Sequence, residues 1–355
     1  MINGGKYDLL SCSYNQISAY VKDVLHERPF RADQLCRWIS SGESFEKMSN
    51  LPASMIEKLK QTAVLSYPVI VKKFVSSIDG TVKYLFSLSD GEFIESVVMQ
   101  YEHGYSVCLS TQAGCDMGCR FCASTIGGKV RDLLPGEIIG QIIVAQRDLS
   151  IRVSNVVLMG IGEPLDNYDN VLQFLRIVNS EKSLCIGYRH ISLSTCGIVD
   201  KIYRLAEEDM PITLSVSLHA PNDAARSDIM PVNRKFPLDV LLRACRDYFD
   251  RTGRRISFEY TLISGKNDSV SDADELSHIL KKHLGKRPFH VNLIPVNAAG
   301  RAGIPGSDKR AAERFKRELE ARNINATVRR TLGSDINASC GQLRHSQGAV
   351  KEIVT

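Results

Sequence analysis

From Leu134 onward, β-branched runs alternate with amphipathic stretches at intervals of roughly 25 to 35 residues. That alternation constrains the fold more than any single residue does. Neighbouring strands that run parallel need crossovers of this length, and helices supply them. The runs Asn155 to Met159, His190 to Ser194, Ile212 to Leu218, Ile256 to Leu262, His290 to Ile294 and Ala326 to Arg330 predict strands. The stretches Asn170 to Val178, Leu238 to Phe249, Asp272 to His283 and Lys309 to Ala321 predict helices between them. With a lead-in strand near Ser106 to Ser110 the chain offers about six βα units, fewer than the eight that close a barrel. The expected fold class is therefore α/β, an open partial (βα)6 barrel.

Two other textures precede the barrel. Over residues 1–66 apolar positions recur at three-to-four spacing, as in Pro29 to Ile39 and Ser54 to Leu59, which predicts a helical accessory domain. Over residues 67–105 the period falls to two in Val69 to Ser76, Val82 to Ser89 and Glu92 to Tyr101, joined through Asp79-Gly80 and Asp90-Gly91. This predicts a short antiparallel β insert and leaves residues 106–355 to the barrel. No apolar run approaches the ~20 residues of a membrane span, and the first residues lack a basic-then-apolar signal layout. A cytoplasmic chain with no membrane partner is expected. The net charge of +5 permits a polyanionic partner without requiring one.

Ten cysteines in such a chain argue for metal or redox chemistry over a disulfide framework, and four of them crowd between Cys108 and Cys122. In Cys115-Asp116-Met117-Gly118-Cys119-Arg120-Phe121-Cys122 three thiols on a Gly-containing loop can converge just after a strand. Three ligands on a four-iron cubane leave one iron open to a substrate. A structural zinc site is the plainer alternative, but it ordinarily brings a second paired motif, and none is present at matching spacing. A partial barrel places working groups beyond strand C-termini. Polar candidates stand there: Gly162 and Glu163, Ser194, Ser217-Leu218-His219, and Asn297. Taken singly, a strand-end Ser is more often a turn residue, and a lone His a satisfied structural one.

The spacing CxxxCxxC with an aromatic before its last Cys resembles the signature of radical S-adenosylmethionine enzymes. Together with Gly162-Glu163-Pro164, Ser194-Thr195-Cys196-Gly197, Ser217-Leu218-His219-Ala220-Pro221-Asn222-Asp223 and Asn292-Leu293-Ile294-Pro295-Val296-Asn297, it resembles the RlmN-type RNA adenine C2 methyltransferases over essentially the whole chain. Phe30 to Ile39 resembles their N-terminal domain. The resemblance implies a 4Fe-4S cluster on Cys115, Cys119 and Cys122. It further implies two S-adenosylmethionine molecules per turnover, held by Gly162, Glu163, Ser194, Ser217, Leu218, His219 and Asn297.

The same resemblance assigns three groups outside the cluster. Cys340, in Asp335-Ile336-Asn337-Ala338-Ser339-Cys340, matches the cysteine that carries a methyl group as S-methylcysteine; Asn337 and Ser339 depart from the usual Asp and Ala of that loop. Cys108 matches the resolving thiol, which closes a disulfide to Cys340. Glu95 matches the proton acceptor, though by its residues alone it reads equally as an outward-facing strand glutamate. Cys12, Cys36, Cys185, Cys196 and Cys245 read as ordinary apolar cysteines. The implied partners are 23S rRNA, tRNA beside the anticodon and an external flavodoxin- or ferredoxin-type reductant, with the chain as a monomer. Among the cations, Lys129 and Arg131 are expected at the RNA entrance because they follow the cluster loop. A sibling enzyme acting at adenine C8 is the nearest rival, with Pro164 against it. A non-enzymatic RNA-binding or ribosome-assembly factor is the rival of a different class.

Overall fold

The computed structural model describes residues 2–3, 5–295 and 306–338; Asn297 and Cys340 lie outside the described residues. Ten strands form one sheet: β1 (Val69–Val75), β2 (Val82–Ser87), β3 (Phe93–Tyr101), β4 (Gly104–Cys108), β5 (Val153–Leu158), β6 (Ile191–Thr195), β7 (Thr213–Ser217), β8 (Ile256–Leu262), β9 (Phe289–Pro295) and β10 (Ala326–Val328). Neighbours in the sheet follow chain order throughout. The first four pair antiparallel, with Leu85 opposite Glu95 and Val97 opposite Cys108. From β4 onward every pairing is parallel, which gives seven parallel strands and six crossovers among the described residues. The antiparallel segment thus extends the barrel wall on its leading edge, and the sheet stays open between β1 and β10.

The parallel strands carry an alternating pattern that sorts their two faces. Leu193, Leu214, Val216, Phe258, Tyr260, Val291 and Leu293 are buried against the crossover helices in one continuous core. Those helices include α4 (Pro135–Leu149), α5 (Tyr168–Asn179), α8 (Leu238–Thr252), α9 (Val270–Leu284) and α10 (Lys309–Ala321), the second to fifth of which match the four predicted ones. Ser192, Ser215, Ser257, Glu259 and Asn292 point the other way, into the barrel. They satisfy one another: Ser192 Oγ meets Ser215 Oγ at 3.0 Å, and Glu259 accepts from Asn292 Nδ2 at 2.7 Å and Ser257 Oγ at 3.2 Å.

The N-terminal segment holds three helices, α1 (Tyr14–Asp23), α2 (Phe30–Ser41) and α3 (Ala53–Thr62), and meets α4 through α2, the short helix Leu9–Ser11 and the stretch 66–68. Glycines on α4 permit the approach. A Cβ at Gly136 would stand 2.7 Å from Asp8 Oδ2, and one at Gly140 would stand 2.6 Å from Pro68 Cδ. The Gly136 amide donates to Ser11 Oγ at 2.8 Å, and Asp8 accepts from Ser11 and from Ser66. One otherwise unpaired N–H at the helix start is thereby satisfied.

Candidate active site

Beyond the C-terminal ends of the parallel strands lies a cavity with about 1030 Å³ of space, counting its open mouth. Cys115, Cys119 and Cys122 line it together with Gly162, Glu163, Ser194, Ser217 and His219. Every described cluster and cofactor residue named from the sequence is therefore gathered here except Leu218. That side chain is fully buried in the core, and its backbone N–H and carbonyl are taken by Glu259 O and Arg226 Nε.

The cysteine loop is closed at its base by a short antiparallel pair, Gln112–Gly114 with Lys129–Asp132. Cys115 N–H donates to Gly128 O at 3.1 Å, and Asp116 Oδ1 accepts from Lys129 N–H at 2.7 Å. Gly114 lies at φ +78°, and a Cβ there would sit 1.9 Å from Gly128 O. Only glycine fits that crossing. Burial pushes the Cys115 thiol up to about 12 and Cys119 higher still. Thiolates at these positions therefore call for a compensating cation against the sulfurs. No three His, Cys, Asp or Glu side chains among the described residues gather closely enough to hold a single ion. Three thiols lining one cavity are the donor set of an iron-sulfur cubane with one iron left open, so the residues fit the group.

The turn after β5 faces them. Gly162 has φ +108°, and a Cβ on it would meet Gln112 Cβ at 2.6 Å. This glycine admits neighbouring protein, where the sequence suggested room for a ligand. Gln112 Oε1 accepts the Glu163 N–H at 2.9 Å while its Nε2 donates to Asp132 and Asp166 at 2.7 and 2.8 Å. The buried Glu163 carboxylate accepts from Leu165 N–H at 3.0 Å and Cys196 N–H at 2.7 Å. Burial raises its pKa, and those hydrogen bonds work against the rise. The Thr195 and Cys196 side chains also hydrogen-bond the carboxylate, which borders the cavity.

His219 sits at φ +57° with its ring against Phe121, centroids 4.7 Å apart. Its Nδ1 accepts from Thr261 N–H at 2.9 Å, so the ring proton resides on Nε2. Burial, aided by Arg226, lowers its pKa to about 3, and the ring is neutral at working pH. Arg226 is fully buried and ties the loops after β6 and β7 together, donating to Cys196 O at 2.7 Å, Ser217 O at 3.0 Å, Leu218 O at 3.1 Å and Asn233 Oδ1 at 2.9 Å. Sequence reasoning missed Arg226, Gln112 and Glu259. Glu259 alone gave a signal, as the one charge within the alternating Ile256 to Leu262 strand.

Glu95 and Cys108 occupy the same face of the antiparallel wall. Glu95 is 8% exposed and paired with Lys83 Nζ at 3.2 Å, so it is not an outward-facing strand glutamate. Buried Cys108 packs with Val97, Met99 and Ile161, and Met159, Leu332 and Ala338 close over that group. The segment 333–338 is pinned there. Asp335 accepts from Ser76 Oγ at 2.7 Å and Ser77 N–H at 2.9 Å, Gly333 N–H donates to Asp79 at 2.9 Å, and Lys83 Nζ donates to Asn337 O at 3.3 Å.

Lys129 and Arg131 do not stand at the entrance as available cations. Lys129 pairs with Asp166 at 2.7 Å, while Arg131 grips Glu137 at 2.7 and 2.8 Å and Asp90 at 2.5 Å. Their charges brace the cluster hairpin. No helix among the described residues is long and apolar enough to cross a membrane.

Comparison with known proteins agrees with this geometry. The Radical SAM superfamily matches residues 109–276, and the ribosomal RNA large subunit methyltransferase N-terminal domain matches residues 7–65. A curated relative from Clostridium novyi (strain NT), named "Probable dual-specificity RNA methyltransferase RlmN", is 53% identical over 91% of this chain and 94% of its own. One of the same name from Desulforamulus reducens is 49% identical over 96% and 97%. The crystal structure of a radical SAM methyltransferase from Sphaerobacter thermophilus superposes with a TM-score of 0.90 at 38% identity, covering 95% of this chain and 99% of that one. Shared sequence along nearly the whole chain and a shared fold around the same cavity lead to one conclusion: the chain belongs to the RlmN family of radical S-adenosylmethionine RNA methyltransferases.

Proposed function

We propose that this chain places a methyl group on adenine C2 of RNA, in 23S rRNA and in tRNA beside the anticodon, through a cysteine-bound methyl intermediate. The observation that carries the reading is the pinned segment 333–338. Ala338 packs over the Cys108 group and Asn337 is held by Lys83, the partner of Glu95. Cys340 follows Ala338 by two residues in the sequence, and on this reading it works with both Cys108 and Glu95. On this reading residues 1–66 engage RNA, residues 67–105 form the antiparallel wall, and residues 106–355 form the barrel with its cysteine loop.

Cys115, Cys119 and Cys122 would hold a 4Fe-4S cluster which, with S-adenosylmethionine on its open iron and an electron from a flavodoxin- or ferredoxin-type donor, supplies a 5′-deoxyadenosyl radical. Glu163 would accept from the cofactor ammonium, and Gly162, Ser194, Ser217, the Leu218 backbone and His219 would border it; the resemblance adds Asn297. The Cys340 thiolate first takes the methyl group of one S-adenosylmethionine, which leaves as S-adenosylhomocysteine. A hydrogen atom then passes from that S-methyl group to the 5′-deoxyadenosyl radical derived from a second, giving 5′-deoxyadenosine and a methylene radical, which adds to C2 and links protein to RNA. The C2 hydrogen leaves as a proton to Glu95, and the one electron that the adduct radical must also lose would return to the oxidised cluster. The Cys108 thiolate then attacks the Cys340 sulfur, and the sulfur–carbon pair goes to the methylene carbon, which takes up a proton. Methylated RNA departs and a Cys108–Cys340 disulfide remains.

Anaerobic turnover with reduced enzyme tests each role. Cys108→Ala should accumulate a covalent protein–RNA adduct, and Cys340→Ala should form neither S-methylcysteine nor adduct. Digested product RNA should contain 2-methyladenosine. An adduct-free gel with Cys108→Ala, or 8-methyladenosine as the product, overturns the reading.

A further inference from the structure

Among the described residues lining the cavity, Arg329 alone is a lysine or arginine. It stands one step past β10, where its N–H donates to Leu293 O at 2.8 Å, and its side chain turns inward with 22% exposure. Nη1 reaches Met159 Sδ at 3.4 Å and lies 3.9 Å from Glu259 Oε2. Met159 packs against the group that contains Cys108. The guanidinium therefore lies between the cofactor side of the cavity and the thiol that must meet the RNA adduct.

We propose that Arg329 donates a hydrogen bond to a ring nitrogen flanking C2 of the target adenine, N1 or N3, and so polarises the carbon that receives the methylene radical. This inference rests on the C2 reading. A carbon radical next to sulfur is electron-rich, so it adds fastest to a ring carbon made electron-poor by its neighbours. Both neighbours of C2 are pyridine-like nitrogens that accept hydrogen bonds. A guanidinium donates without ever losing its proton, so the cation persists throughout the addition. Electron density moves onto N1 and N3 as the new bond forms, and a fixed cation at one of them stabilises that change more than it stabilises the unreacted base. Glu259, held by Asn292 and Ser257, keeps the guanidinium aimed and its charge balanced when no RNA is bound.

Two other roles would place the same atoms here: a contact to the S-adenosylmethionine carboxylate, or simple neutralisation of Glu259. The experiment separates them. In a Cys108→Ala background, adduct formation is timed for Arg329→Gln, Arg329→Lys and the Glu259→Gln/Arg329→Gln double variant. Substrate RNAs carry adenosine, 1-deazaadenosine or 3-deazaadenosine at the target. Cys340 S-methylation is measured separately by mass spectrometry before RNA is added.

Arg329→Gln should slow adduct formation on adenosine RNA roughly tenfold to hundredfold, the scale of a charge-assisted hydrogen bond. S-methylation should be unchanged. On the RNA lacking the bonded nitrogen, the substitution should cost almost nothing further, and Arg329→Lys should recover part of the rate. The double variant leaves no lone buried charge and should fold like the parent while keeping the adduct defect. Loss of S-methylation in Arg329→Gln would make Arg329 a cofactor contact. Equal losses on all three RNAs, or full recovery in the double variant, would also overturn the proposal. Absence of adduct with Arg329 intact would instead count against the C2 reading itself, so the two failures are distinct.

Discussion

The two faces of the parallel sheet are written in one alternating string yet serve opposite ends. Facing the helices, Leu214, Val216, Phe258 and Tyr260 are inaccessible to water and contribute about 1.5–3 kcal/mol each by burial. Facing the barrel interior, Ser192, Ser215, Ser257 and Glu259 contribute little apolar area and are held by bonds to one another. A sheet covered on both faces usually reads as continuous apolar runs. Here alternation survives in parallel strands because one face borders a cavity that must receive polar ligands.

The largest test of that division is at the junction of the faces, Arg226. Replacing it with Met leaves three carbonyls and the Asn233 side chain without their donor. We expect a loss of about 4–5 kcal/mol, read from the urea midpoint, together with weakened cofactor binding as the loops after β6 and β7 separate. Next comes a pair on adjacent residues of β8. Phe258→Ala should cost about 3–4 kcal/mol with cofactor affinity largely kept, whereas Ser257→Ala should cost about 1 kcal/mol or less. Equal losses at both positions would erase the distinction between the faces.

The outward face was legible in the sequence because it depends on local periodicity. All seven parallel strands and four crossover helices fall where the apolar spacing predicts them, and α10 matches at both ends. The cavity wall was legible where strand ends meet motifs, as at Glu163 and His219. What was not legible depends on pairs distant in the chain. Lys129 looked like an available cation because Asp166 is far from it in sequence. Glu95 read equally as a proton acceptor or an outward-facing glutamate because alternation alone cannot reveal its pairing with Lys83, which also holds Asn337 O. Arg226 was silent for the same reason: its four acceptors come from three separate stretches of chain.

A pH experiment sharpens the contrast further. His219 has a folded pKa of about 3 against an ordinary value near 6.5. Between those limits the unfolded chain binds a proton that the folded chain refuses, so stability is full above about pH 6.5 and falls on acidification toward pH 3. The loss should reach roughly a few kcal/mol across that window. His219→Asn, which tolerates the positive φ, should flatten the slope in stepwise urea titrations. A slope unchanged by the substitution would move the effect to another group.

The smallest expected effect concerns the antiparallel wall and leaves global stability almost untouched. Asp335 is held to Ser76 and Ser77, and those hydrogen bonds keep its carboxyl below the ordinary carboxylate range. A depressed carboxylate keeps its contribution above the unfolded value and loses it only as pH falls through the folded one, so the tether should persist through the ordinary carboxylate range and fail only on further acidification. Asp335→Ala should remove it at every pH. Because the barrel and its helices do not depend on this contact, the urea midpoint should barely move. On the proposed function, transfer from adduct to product should nonetheless slow, since that step would need the segment leading to Cys340 to stay near Cys108. Rapid-quench timing of adduct decay reads that step directly. An unchanged decay rate would mean that Lys83 and the packing of Ala338 suffice to hold the segment over its partner thiol.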